Sequence, residues 1–354
     1  MRYPSLLPAL ALALAVRADP ASACAFHNYL PEQTLVDRLL ATENVVLARP
    51  NPEDPFRFQA VEALEGTMAQ ADLPTLVDST TRRKLALNPD DTVLFARDDG
   101  AYGPFLRLAY LDPAHRDVVE TIMAHKENWI MGDDLGRYQY FADLLQHPDP
   151  AIHALALREL DTAPYDLLRS LSLTPNPDRI LKSLWIPSEM PYQPIRILLL
   201  GFTQGEHAQT TLSAGLERSR KSGATTNLGP YATAVVERDG IAGVTRLVEM
   251  FLADTPAPAD QVELVVEALA IHAGAAAPER RAEILTTLAN VLSSHPEHAG
   301  AVARQFQFRY DFGMGDALAQ VLESGQIRSA NAAIPVSTYV MLARQDQSFA
   351  TETE

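Results

Sequence analysis

The chain holds a single cysteine, Cys24, in 354 residues. No intramolecular disulfide can form, so the fold must be stable without one. Basic residues are also in deficit: 29 Lys and Arg against 45 Asp and Glu give a formal net charge of −16. Non-specific nucleic-acid binding and docking on anionic lipid both need a basic surface, so neither is expected. Aromatics make up only 7% of the chain, which argues against a base-stacking platform. No stretch reaches the roughly 18 apolar residues of a membrane-crossing helix; the run Ile197-Leu198-Leu199-Leu200 is far shorter. The sequences HExxH, CxxC, GxxxxGK[ST] and GxSxG do not occur. Gly313-Met314-Gly315 lacks the third glycine and the preceding strand of a dinucleotide loop. Neither enzymatic activity nor a cofactor is expected.

What is present starts at the N-terminus. Met1-Arg2-Tyr3 is a short positive start, Leu6 to Val16 is an apolar run, and Ala21-Ser22-Ala23 is an A-x-A cleavage site. Residues 1–23 therefore read as a signal peptide, and the mature protein as periplasmic or secreted. Cleavage after Ala23 makes Cys24 the first residue, with two outcomes. A lipobox would place a diacylglycerol on Cys24 and anchor the protein; Ser22 and Ala23 suit it. Ala21 stands where leucine is usual, and Arg17, Asp19 and Pro20 separate the apolar run from the cysteine, which favours soluble export. A free amine, a thiolate and an imidazole within four residues would make Cys24 and His27 ligands for a soft metal such as Cu(I). Copper handling in the periplasm is thus the functional alternative.

Residues 24–130 read as a small β-rich domain. Thr34 to Thr42 places Leu35, Val36, Leu39 and Leu40 on one helical face. Val45–Ala48, Phe56–Leu64, Leu73–Val77, Thr92–Ala96 and Pro104–Leu111 read as five strands between turn signals. That pattern suggests a small barrel. His115 to Trp129 reads as a helix, with Val118, Val119, Ile122 and Met123 along it. A cysteine at the mature start, a helix, then ENVVLARP and FRFQAVEALEG resembles the N-terminal half of netrin/TIMP-like OB-fold domains over about 90 residues. The resemblance implies a barrel used as an interaction module. Cys24 has no partner cysteine, so the inhibitor mechanism of those domains is not carried over.

From Gly132 the composition turns to Ala, Leu, Glu and Arg. In HPDPAIHALALREL, Asp149 can cap a helix and Pro150 fits its first turn. Ile152, Leu155, Ala156 and Leu160 make its apolar face. The stretch is similar to the second-helix signature of HEAT repeats, with His153 where that family usually has arginine. Helix pairs follow at Pro194–Phe202 with Glu206–Arg218, Tyr231–Arg238 with Ile241–Leu252, and Gln261–Ala273 with Glu279–Leu292. Such pairs bury their faces only by stacking. An irregular helical bundle is the alternative, and the proline-rich stretch 174–194 is where a stack would be interrupted. The expected class is thus α+β and multidomain: an OB-like barrel (24–130), an all-α HEAT-like solenoid (131–345) and a disordered tail (346–354).

Two further stretches stand out as sites. His295-Pro296-Glu297-His298 sets two imidazoles three residues apart, but catalytic zinc usually takes a third protein ligand, and the motif supplies only Glu297; it reads as an interhelix loop. Phe306, Phe308, Tyr310 and Phe312 alternate, and a helix cannot turn all four to one side. Some are therefore exposed and available to a protein partner. The basic groups Arg82-Arg83-Lys84 and Arg218/Arg220/Lys221 read as solvated faces. The expected function is a non-catalytic, exported protein–protein interaction or scaffold protein.

Overall fold

The computed structural model describes residues 33–97, 103–253 and 257–352. The expected signal peptide, Cys24, His27 and the turn Asp98-Asp99-Gly100 lie outside the described residues. The chain is α+β: a small antiparallel sheet near the N-terminus, then a mostly helical region.

Helix α1 (Leu35–Leu40) starts on a reciprocal cap, Thr34 Oγ1 accepting from Asp37 N and Asp37 Oδ2 from Thr34 N, each at 3.0 Å. Strands β1 (Val45–Pro50) and β2 (Phe58–Glu65) follow, then helix α2 (Ser79–Leu87) and strands β3 (Thr92–Arg97) and β4 (Phe105–Leu111). The strand order is β2-β1-β3-β4, antiparallel throughout. Val45 pairs with Ala96 and Val46 with Phe95, so β1 and β3 are central.

These central strands are buried on both faces, and the two faces feed separate cores. Val45, Leu47, Leu94 and Ala96 join a core that includes α1 and continues into the helical region. Val46, Ala48, Val93 and Phe95 meet Phe58, Leu73, Val77 and Leu85 in a smaller core on the other side. The expected fifth strand, Leu73–Val77, is a lid over that second core rather than a ladder strand; it makes one isolated bridge, Arg57 to Leu76. Pro74 lacks the N–H that a paired strand needs. The sheet of the described residues therefore has four strands in an open order, where five in a barrel were expected. Helix α2, unforeseen from the sequence, is capped by Asp78, whose Oδ1 accepts from Thr81 N at 2.8 Å.

Helix α3 (Pro113–Ile130) packs on the sheet, and α4 (Asp134–Asp143) and α5 (Pro150–Thr162) follow. The junction at residues 130/131 is not a gap in packing. Trp129 of α3 lies against Phe141 of α4, ring centres 6.2 Å apart. Arg137 of α4 reaches Asp37 of α1 at 2.7 Å and the fully buried Glu159 of α5 at 2.8 Å. One apolar core runs from Val36 to Ala343 across this boundary.

The chain continues with α6 (Tyr165–Ser170), α7 (Pro177–Ser183), α8 (Gln193–Gly201), α9 (Glu206–Ser222), α10 (Leu228–Asp239) and α11 (Ile241–Leu247). A π-helical turn, Val248–Leu252, ends α11. Then come α12 (Ala259–Ala275), α13 (Pro278–Ser294), α14 (Ala299–Phe308), α15 (Gly315–Glu323) and α16 (Ala330–Glu352). Helices α8, α10, α12, α14 and α16 pack each on the next, and α11, α13 and α15 form a second succession. Short connections and alternating partners give this order. Where a tail was expected from residue 346, α16 continues to Glu352; after Pro335 the sequence holds neither proline nor glycine to stop it.

Candidate functional site

The aromatic stretch at the end of α14 divides as helix geometry requires. Phe306 is fully buried, Phe308 is 56% exposed, Tyr310 is 73% exposed, and Phe312 is partly buried against the core. Phe306 thus belongs to the core and leaves the expected partner-binding set; its neighbours Val302 and Ala303 turn inward with it.

The chain leaves α14 through a two-bond turn. Asp311 N donates to Phe306 O at 3.0 Å and Tyr310 N to Gln307 O at 2.9 Å. This is the Schellman pattern, whose pivot takes a left-handed conformation and is usually glycine. Here the pivot is Tyr310, at φ 52°. A side chain in that region costs on the order of 1 kcal/mol. The surroundings hold it firmly. Arg281 of α13 grips both carboxylate oxygens of Asp311 at 2.6 Å. Tyr339 of α16 donates its hydroxyl to Asp311 O at 2.6 Å and accepts from Met314 N at 3.1 Å. Phe312 rests on the Tyr339 ring, centres 5.6 Å apart.

Tyr310 forms a ridge between two clefts. One, of about 550 Å³, is mainly apolar, with Phe308 and Phe312 on one side and Ile334, Pro335 and Leu342 of α16 on the other. The second, of about 490 Å³, is polar and includes Arg281, Arg309, Asp311 and Asp346. Ile334 is 66% exposed, so large apolar groups face water on both walls of the first cleft. The sequence points to Phe308, Tyr310 and Phe312 through their alternation. It gives no cue for α16 as the opposite wall, since only folding brings 334–342 beside 308–312.

Several other polar groups have structural roles. Tyr165 of α6 donates to Glu237 of α10. Its hydroxyl also lies 3.3 Å from His272 Nε2 of α12, which itself lies 2.9 Å from Thr233 O. Burial, then the Glu237 charge, pushes the Tyr165 hydroxyl far above its ordinary range, so it stays protonated and serves as a clamp between three helices. His115 links two helix caps, its Nδ1 at 2.9 Å from Asp112 and its Nε2 at 3.8 Å from Asp149. Those nitrogens lie on opposite sides of the ring, and both carboxylates already accept backbone N–H groups, so the trio ties α3 to α5. Among the basic groups, Arg82 covers the Phe56 ring at 4.7 Å, Arg218 the Trp185 ring at 5.0 Å, and Arg220 donates to Met250 O at 2.7 Å. They serve as packing contacts.

His295, Glu297 and His298 form a compact turn between α13 and α14, as the interhelix reading expects. One donor atom of each lies within 4.8 Å of the others.

Comparison with protein-family models, with curated proteins and with solved structures returns no match. No helix among the described residues is long and apolar enough to cross a membrane.

Proposed function

We infer that this chain is a non-catalytic, exported interaction protein, and that the Tyr310 ridge with its apolar cleft holds an apolar segment of a partner protein. The observation that carries the reading is Tyr310 itself. An exposed tyrosine sits at a backbone position that favours glycine. Strain retained at an exposed aromatic is a mark of use rather than of packing. The polar cleft on the other side of the ridge, with Arg281, Arg309 and Asp346, supplies charged groups to orient a segment whose apolar side chain enters the first cleft. In this reading the succession α8–α10–α12–α14–α16 is a HEAT-like stack, and the cleft lies at its last step. The A-x-A site at Ala21-Ser22-Ala23 supports export.

The test is affinity capture with chemical crosslinking from the periplasm, comparing the wild-type chain with Phe308→Ala/Tyr310→Ala. A defined protein recovered with the wild type and lost with the double variant supports the reading. The same protein recovered equally with both, or no crosslinked partner at all, overturns it.

A further inference from the structure

The turn His295–His298 carries a second site, away from the cleft. His295 caps the end of α13, and the single turn Pro296–His298 returns the chain to α14. This brings the two imidazoles face to face, ring centres 5.9 Å apart and planes 27° from parallel. Glu297 Oε1 lies 3.2 Å from His295 Nδ1. Two donors on a tetrahedral zinc-type ion, each about 2.0–2.2 Å from it, stand about 3.3 Å from one another, so that pair already has the required spacing.

His298 adds an observation from outside the turn. Its Nε2 lies 3.2 Å from Leu252 O, in the π-helical turn after α11. A carbonyl oxygen only accepts, so Nε2 carries the hydrogen and Nδ1 keeps its lone pair. A ring nitrogen held by a backbone carbonyl while the other stays free is the arrangement that orients a metal-binding histidine. The Asp112–His115–Asp149 trio differs, because its carboxylates are engaged as helix caps and its imidazole nitrogens diverge.

We propose that His295, Glu297 and His298 bind one divalent transition-metal ion of the zinc type. Two imidazoles and one carboxylate suit such an ion better than calcium or magnesium, which take oxygen donors. Three protein ligands leave a fourth position. Glu297 also lines a cleft of about 660 Å³ with Ser294, Gln326, Arg328 and Ser329, so a water molecule or an incoming donor can reach the rim of the site.

The test is zinc titration by calorimetry on the full chain, stripped beforehand with a chelator. The wild type is compared with His295→Ala and Glu297→Gln, neither of which removes the His298 bond to Leu252. Melting is followed with and without Zn²⁺. The wild type should bind one equivalent and melt higher with zinc, because a ligand of the folded state stabilises it. Each variant should lose at least about 10-fold in affinity, the least that weaker outer-shell changes produce, while its zinc-free melting temperature stays near the wild-type value. Equal affinity and stoichiometry in all three chains, as binding elsewhere would give, overturns the site. So does a wild type that binds no zinc.

Discussion

Neighbouring aromatics at the end of α14 have opposite roles. Phe306 has no exposed surface, and truncating a buried phenylalanine removes its transfer energy and leaves a cavity. Phe306→Ala should cost about 3–5 kcal/mol in urea unfolding. Phe308→Ala, two residues on, should stay within about 0.5 kcal/mol, as surface changes do. Two buried histidines set a different residue-scale effect. Burial, then the Arg179 and Arg196 charges, pushes His153 down to about 4. Burial, opposed by the Thr233 carbonyl, brings His272 down to about 3. Unfolded histidine titrates near 6.5. Below that pH the unfolded chain binds protons that the folded chain refuses, so stability falls as pH drops from about 6.5 to about 4 for His153 and to about 3 for His272. Each histidine contributes up to about 1.4 kcal/mol per pH unit. Urea midpoints should be lower at pH 5 than at pH 7, and His153→Gln should reduce that difference. An arginine at position 153 would be a charge in a site that is 6% exposed, close enough to feel the Arg179 and Arg196 charges.

The helices were legible where caps and periodicity agree. Asp149 caps α5 as its sequence predicts, accepting from Ala151 N at 2.7 Å, and Ile152, Ala156 and Leu160 are fully buried. Two elements were misread for identifiable reasons. Leu73–Val77 has a strand-like composition, but Pro74 removes it from the ladder. Helix α2 carries Arg82-Arg83-Lys84, and its buried side is little more than Thr81 and Leu85, too little apolar repeat to see in sequence. A third feature inverts propensity. Gly201 lies in α8, where alanine is the better helix former by about 1 kcal/mol. A Cβ there would sit 2.8 Å from the Ala234 carbonyl oxygen and 2.9 Å from its Cα in α10. The α8–α10 contact would have to open, so Gly201→Ala should destabilise by about 1–3 kcal/mol. Thermal unfolding checks the sign: a raised melting temperature would mean that the helices do not approach this closely.

At the scale of the whole molecule, the sequence divides at residue 131 in composition, while the structure joins the parts. Arg137 binds carboxylates on α1 and α5, and a common core crosses the junction. Periodicity reports which face of an element is apolar; it does not report which distant face meets it. For the same reason half of the candidate cleft was legible and half was not. Phe308, Tyr310 and Phe312 announce themselves by alternation, but Ile334, Pro335 and Leu342 join them only through the packing of α16 on α14. The strain at Tyr310 emerges only with the backbone, since a tyrosine gives no sign that it occupies a glycine's place. Whether the ridge is kept for a partner therefore turns on one substitution. Tyr310→Gly relieves the left-handed strain and removes the ring. The most direct measurement pairs urea unfolding of this variant with crosslinking in the periplasm from a photoreactive phenylalanine at position 308. The variant should be as stable as the wild type or more stable by up to about 1 kcal/mol, and should lose a discrete crosslinked species. A crosslinked species unchanged by Tyr310→Gly, or none in the wild-type background, would contradict it.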